Sequence, residues 1–255
     1  MALGLSACAL AAFNVALAAD SPAPVEAEPV VIAIANLKAG NTEARAAAEA
    51  IAAKHPDLVL LTECSRVSLA EATFASNGLQ LVLDGRDPSP WGICVAARVE
   101  GDVALIPAAW KGPCVGPMVV GRFELGRGPV ALIGVHLPPR VPNCEATTDA
   151  AVAALAVLVS NGRLVADLGP AKAGDAVILA GDLNSYDKKL APLRVAGLAD
   201  TGEIEGVKLT TWQVGPIKLW LDHVLIPKSW PAEGTRVFEV PGSDHAGLVT
   251  TISPE

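Results

Sequence analysis

The sequence predicts an α/β (α+β) fold, a four-layer α-β-β-α sandwich in which two mixed sheets pack face to face with helices outside. Three observations carry that expectation. The 255 residues are 51% hydrophobic and only 18% charged, enough apolar material for one substantial core. Strand-length apolar runs outnumber helical repeats along the chain. Hairpins alternate with strand–helix–strand units, so each sheet mixes parallel and antiparallel neighbours, and such sheets must cover both faces.

Pro29 to Ala35 is an apolar run of strand length. Asn41 then opens a helix with Ala44, Ala47, Ala48, Ile51 and Ala52 at helical spacing, which His55-Pro56-Asp57 stops. Leu58 to Thr62 is a second buried strand, and short strands follow at 79–83, 93–98 and 103–106. Residues 119–125 and 129–137 form a hairpin around Gly126-Arg127-Gly128. Residues 146–168 give the longest helical pattern. A strand at 176–180, a short helix near 188–196 and strands near 208–212, 219–226, 236–240 and 246–252 complete the chain. With no internal repeat and no second linker, residues 29–255 read as one domain.

Ahead of it, residues 1–19 carry an apolar core (Leu3, Leu5, Leu10, Phe13, Val15, Leu17) and a small-x-small Ala16-Leu17-Ala18. They read as a signal peptide or the remnant of a membrane anchor, and the Pro- and acid-rich residues 20–28 as a linker. The expected location is therefore periplasmic or secreted, with membrane anchoring as the alternative. Cys64, Cys94, Cys114 and Cys144 show no zinc-like spacing. An even count in an exported chain favours disulfides, although Cys64 and Cys94 read equally as buried thiols. Cys114 and Cys144 flank the open end of the 119–137 hairpin, so a 114–144 bridge is expected, contributing on the order of 3 kcal/mol by loop closure.

The chemistry lies where polar residues interrupt or end apolar strands, because burying them unpartnered is costly. Asn36 ends VVIAIAN, Glu63 ends DLVLLTE and His136 ends VALIGVH; Asp182 and Asn184 end VILAGDLN. Asp222 and His223 sit inside KLWLDHVLI, and Ser243-Asp244-His245 precede the last strand. Singly, each reads as a turn former or a hydrogen-bonded structural residue. Together they supply hard oxygen ligands suited to Mg²⁺ or Mn²⁺ and two imidazoles for acid–base work. No serine or cysteine nucleophile accompanies them, which points to attack by water on phosphorus.

In this order the motifs resemble the endonuclease/exonuclease/phosphatase superfamily, the DNase I-like group. They are Ala35-Asn36-Leu37, Leu60-Leu61-Thr62-Glu63, Val135-His136-Leu137, Gly181-Asp182-Leu183-Asn184, Leu221-Asp222-His223 and Ser243-Asp244-His245. The Asn36-to-Glu63 spacing and Thr211-Trp212 ahead of Asp222 are similar to the small bacterial branch. One departure is that Ala246-Gly247 follows Ser-Asp-His where many relatives carry Arg or Tyr and then Pro.

The resemblance implies that Asn36, Glu63 and Asp244 hold Mg²⁺ or Mn²⁺ and that His245 is the base, fixed by Asp222. It implies that Asp182 and Asn184 orient the water and bind a phosphoryl oxygen, while His136 contacts the phosphate or leaving group. Asp87 is the nearest acid to orient His136. His223 points to the opposite sheet face by strand alternation and reads as structural.

The implied activity is metal-dependent phosphodiester hydrolysis by a monomer, with DNA or RNA as a candidate substrate. The alternatives are a phosphomonoesterase, a phospholipid or small-molecule phosphodiesterase, and a non-catalytic binding protein. A net charge of −8 excludes a general nucleic-acid coat. Only Arg86, Lys111 and Arg140 stand in loops where they could meet a phosphate chain.

Overall fold

The structure is a computed structural model that describes residues 28–66, 68–126 and 128–255. The expected signal or anchor segment, nearly all of the linker and the turn residue Arg127 lie outside these. The chain opens with β1 (Val30–Asn36), α1 (Ala44–Ala52), β2 (Leu58–Thr62), α2 (Ser68–Ser76), β3 (Gln80–Gly85), β4 (Ile93–Ala97) and β5 (Gly101–Ile106). The central hairpin is β6 (Met118–Leu125) and β7 (Gly128–His136), followed by α3 (Glu145–Val157). A small hairpin, β8 (Val159–Ser160) and β9 (Arg163–Leu164), leads to β10 (Ala176–Asp182) and α4 (Ala191–Val195). The last part holds β11 (Leu198–Asp200), α5 (Thr201–Glu205), β12 (Trp212–Val214), β13 (Ile217–Leu219), β14 (Asp222–Pro227), β15 (Ala232–Phe238) and β16 (Gly247–Ile252).

Two large mixed sheets result. One runs β15-β16-β1-β2-β4-β3 and the other β11-β14-β10-β7-β6-β5, with β9 also pairing β10. Period-two alternation sorts every central strand onto two faces. Ile32 and Ile34 of β1, Leu132 of β7, Ile178 of β10 and Val224 of β14 meet between the sheets. Ala33 and Leu61 turn outward beneath α1 and α2, where Ile51 and Phe74 cover them. Leu179 and Leu225 turn outward beneath α3 and α4, against Leu155 and Leu193. Three apolar layers between four structural layers give the expected sandwich.

The differences from the sequence reading have local causes. The helix expected over 146–168 stops at Val157 because Asn161-Gly162 makes a two-residue turn between β8 and β9. Both residues have positive φ (51° and 75°), as a type I′ hairpin requires. The strand expected over 219–226 is split. Leu219 belongs to β13, whereas the backbone N–H groups of Leu221 and Asp222 bond Thr211 Oγ1 (3.0 and 3.1 Å), so β14 starts at Asp222. The strand expected near 208–212 is the short β12, beginning at Trp212. Asn41 precedes the helix it was expected to cap: its Oδ1 accepts from Glu43 N while its amide ties Leu37 to Pro241. Helix α2 and the β11–α5 unit have no counterpart in the sequence reading.

Candidate active site

Register builds the site. β10 pairs in parallel with β7 and antiparallel with β14, so Asp182 lies directly opposite His136 on one side and Asp222 on the other. All three share the parity of the inter-sheet residues on their strands, and their side chains meet at the end of the sandwich where the apolar layer stops. Gly181 makes the approach possible. Its φ is +130°, and a Cβ there would stand 2.0 Å from the Val135 carbonyl oxygen. From the opposite sheet Asn36, the last residue of β1, enters the same space and donates to Glu63 Oε1 (3.0 Å) and Asp182 Oδ2 (3.1 Å).

Glu63 leaves β2 with φ +53°, a left-handed conformation that surrounding bonds must hold. Its Oε2 accepts from Ala39 N (2.8 Å), and the next residue is fixed by the Cys64–Cys94 disulfide, with a Cα separation of 6.2 Å. The sequence had left that bridge open. The expected Cys114–Cys144 bridge is also formed, across 5.8 Å between Cα atoms.

His245 Nδ1 pairs with Asp222 Oδ2 at 2.8 Å, and its Nε2 stands 3.9 Å from Asp182 Oδ2. Burial by itself disfavours the imidazolium. The Asp222 hydrogen bond and charge, joined by Asp182 and Asp244, outweigh it and push the His245 pKa up to about 9. Asp182 is fully buried, and burial first, then the Asp222 carboxylate, pushes its pKa up. His136 Nε2 lies 3.6 Å from Asp182 Oδ2 and 4.0 Å from Glu63 Oε1.

The nearest acid does not orient His136. Its Nδ1 bonds the Pro90 carbonyl at 2.8 Å and its ring packs on Trp91, while the Asp87 carboxylate caps Ser89 N. A backbone carbonyl fixes a tautomer as well as a carboxylate does, and it carries no signature in sequence. Asn184 (φ 44°) commits one N–H to the Leu137 carbonyl and leaves its other amide groups to the cleft.

The Asp244 side chain is 49% exposed, stands 3.8 Å from Lys38, and lines a second groove together with His245. His223 faces outward, as alternation requires. Its Nδ1 meets Asp200 at 2.6 Å and its Nε2 the Ser185 and Trp220 carbonyls. Asp200 escaped the sequence reading although its role is visible there: an Asp before Thr-Gly-Glu caps α5 by accepting from Gly202 N.

The donor chemistry fits a hard divalent cation. Glu63 and Asp182 both accept from the Asn36 amide and both face His136 Nε2, and Asp182, Asp222 and His245 bring ligand atoms within 4.8 Å of one another. Oxygen and imidazole donors dominate, and the four cysteines of the described residues are in disulfides rather than free as soft ligands.

Such a sandwich, with carboxylates and paired imidazoles at one end of its two sheets, defines the DNase I-like class of folds. The chain belongs to the Endonuclease/Exonuclease/phosphatase family, which it matches over residues 12–245. That family is a class of hydrolases acting on phosphoesters, usually with divalent metal ions. No curated protein matches the sequence. Among solved structures, D. rerio TDP2 humanized by 14 mutations is similar at TM-score 0.71 and 18% identity, over 89% of this chain and 99% of that one. D. rerio TDP2 complexed with single strand DNA product matches at 0.70 and 17%, over 89% and 99%. Sphingomyelinase C from Streptomyces griseocarneus matches at 0.59 and 16%, over 88% and 99%. At these identities the likeness is one of fold.

Proposed function

We propose that the protein is a Mg²⁺- or Mn²⁺-dependent phosphodiesterase. The observation that carries this reading is the row His136–Asp182–Asp222, closed by His245 above it and by Asn36 and Glu63 from the opposite sheet. Glu63 and Asn36, joined by Asp244, would hold the ion, which supplies polarisation of a phosphoryl oxygen and charge stabilisation of the leaving group. His245 Nε2 takes the proton of the attacking water, while Asp222 holds Nδ1–H and stabilises the imidazolium. His136 gives Nδ1–H to Pro90 and, with a proton on Nε2 as well, donates from Nε2 to the phosphate or the departing oxygen. Asp182 and the free amide groups of Asn184 orient the water.

Two clefts meet at His245 and Trp212, which line both. A phosphate held between them has room for a substituent on each side, which favours a diester over a monoester. The two disulfides suit an oxidising compartment, so export is part of the proposal, as is action as a monomer. Hydrolysis of bis-p-nitrophenyl phosphate tests the reading: we expect turnover with Mg²⁺ or Mn²⁺ that EDTA abolishes. Absence of hydrolysis with either metal would overturn it.

A further inference from the structure

The cleft that opens from the catalytic row has a volume of about 520 Å³, within the range that takes a small organic molecule. Beyond the catalytic residues and Arg140 its walls are apolar: Trp91, Val141, Tyr186, Trp212, Leu219 and Leu221, closed on one side by the Cys114–Cys144 bridge. The chain has five tryptophans and one tyrosine; two of the former and the latter stand here. Tyr186 is 47% exposed and Val141 46%, so apolar surface is left uncovered at the cleft mouth, where burial by a ligand is favourable. Trp91 is held in place from behind, since a Cβ on Gly116 would approach its ring to 2.6 Å.

Charge points the same way. Among the described residues lining the cleft, Arg140 is the only lysine or arginine. Its Nη2 donates to Ser185 Oγ at 2.9 Å and its Nη1 pairs with the Asp149 carboxylate at 2.8 Å, so one arginine, with its Nε left unpartnered, serves the whole cleft. The groove beyond Trp212 is lined by Glu239 and Asp244 with no lysine or arginine among its described residues. Arg86, on the 84–91 loop, pairs with Asp84. A polynucleotide needs cations tracking its successive phosphates, and neither cleft supplies them.

We infer that the substrate is a compact phosphodiester with a single phosphate, one of whose substituents is a planar apolar group that packs on Tyr186, Trp212 and Val141. This rests on the phosphodiesterase reading and narrows its substrate. Calorimetric titration of the Mg²⁺-loaded protein with phenylphosphonate and methylphosphonate tests it, because the two carry the same phosphonate group and differ in the planar ring. Phenylphosphonate is expected to bind about tenfold more tightly, the scale of one aromatic packing contact. That ratio should fall towards one in a Tyr186→Ala/Val141→Ser double variant whose affinity for methylphosphonate and whose thermal unfolding are unchanged. Equal affinities in the unaltered protein, or a ratio that survives the double variant, would overturn the subsite. So would displacement of phenylphosphonate by a single-stranded phosphorothioate oligonucleotide with a steep salt dependence. Failure to hydrolyse methyl p-nitrophenyl phosphate with any divalent metal would instead remove the underlying reading.

Discussion

Two histidine–aspartate pairs lie back to back in this protein, and neighbours in sequence contribute to each. Asp222 faces the space between the sheets and holds His245; His223, one residue on, faces the helices and is held by Asp200. Both imidazoles have a carboxylate on Nδ1. They differ at the other nitrogen. His223 Nε2 is consumed by the Ser185 and Trp220 carbonyls, and the ring stacks on Trp220 with centroids 5.2 Å apart. His245 Nε2 makes no such bond and looks into the cleft. A carboxylate–imidazole pair becomes a base only when its second nitrogen is left uncommitted, and a satisfied pair becomes a strut. His223 is surrounded by acceptors only. Burial opposes the charge, but the Asp200 hydrogen bond and charge raise its pKa, and a doubly protonated ring is the form those three acceptors fit.

The largest effect should separate the two pairs by activity. His245→Ala is expected to lower turnover per folded molecule by roughly 10²–10⁴-fold, the range of a positioned general base. A rate near that of the unaltered protein, with the same pH dependence, would remove the assignment. Asp222→Asn should also move the acid limb of kcat/KM to lower pH, since the carboxylate that raises the His245 pKa is gone.

His223→Ala should do the reverse. It strands Asp200 in a buried site, a loss of roughly 3–5 kcal/mol for one partner of a buried pair. Turnover per folded molecule should stay within a few-fold. Denaturant unfolding beside an active-site titration measures both, and a fully stable but inactive variant would make His223 a catalytic rather than a supporting group.

A third expectation follows from pH. His245 has a folded pKa of about 9 and an unfolded value near ~6.5, so the folded state binds more protons across that interval. Its contribution is present in full below ~6.5 and lost as pH rises to about 9, on the order of 3 kcal/mol in metal-free protein. Thermal scans of EDTA-treated protein should show the decline, and His245→Gln should flatten it. An identical slope in the variant would place the titration elsewhere.

The smallest effect is expected from Glu63→Gln, which keeps shape and removes charge on the side of the site away from both pairs. The metal concentration for half-maximal rate should rise roughly tenfold, the scale for perturbing a metal environment, with unfolding unaltered. An unchanged metal requirement would exclude Glu63 as a ligand.

The sequence by itself determined the layers and the parity of the site. Alternating apolar strands dictate two faces each, and a polar residue at a strand end, as with Asn36, His136 and Asp182, announces where the apolar layer stops. Parity alone sent His223 away from Asp222. Local turn chemistry was also present in the sequence: Asn161-Gly162 ended a helix that composition alone would have carried on to residue 168. What only the tertiary structure decided are contacts between residues far apart in the chain. Pro90 rather than Asp87 meets His136 because a backbone carbonyl has no residue type. Asp200 reaches His223 because β11 pairs with β14. Asp244 stands by Lys38, and Tyr186 and Trp212 share one cleft, because the loops that carry them are placed by strand order. Short-range spacing encodes which way a side chain points; which partner it finds depends on the pairing of the sheets.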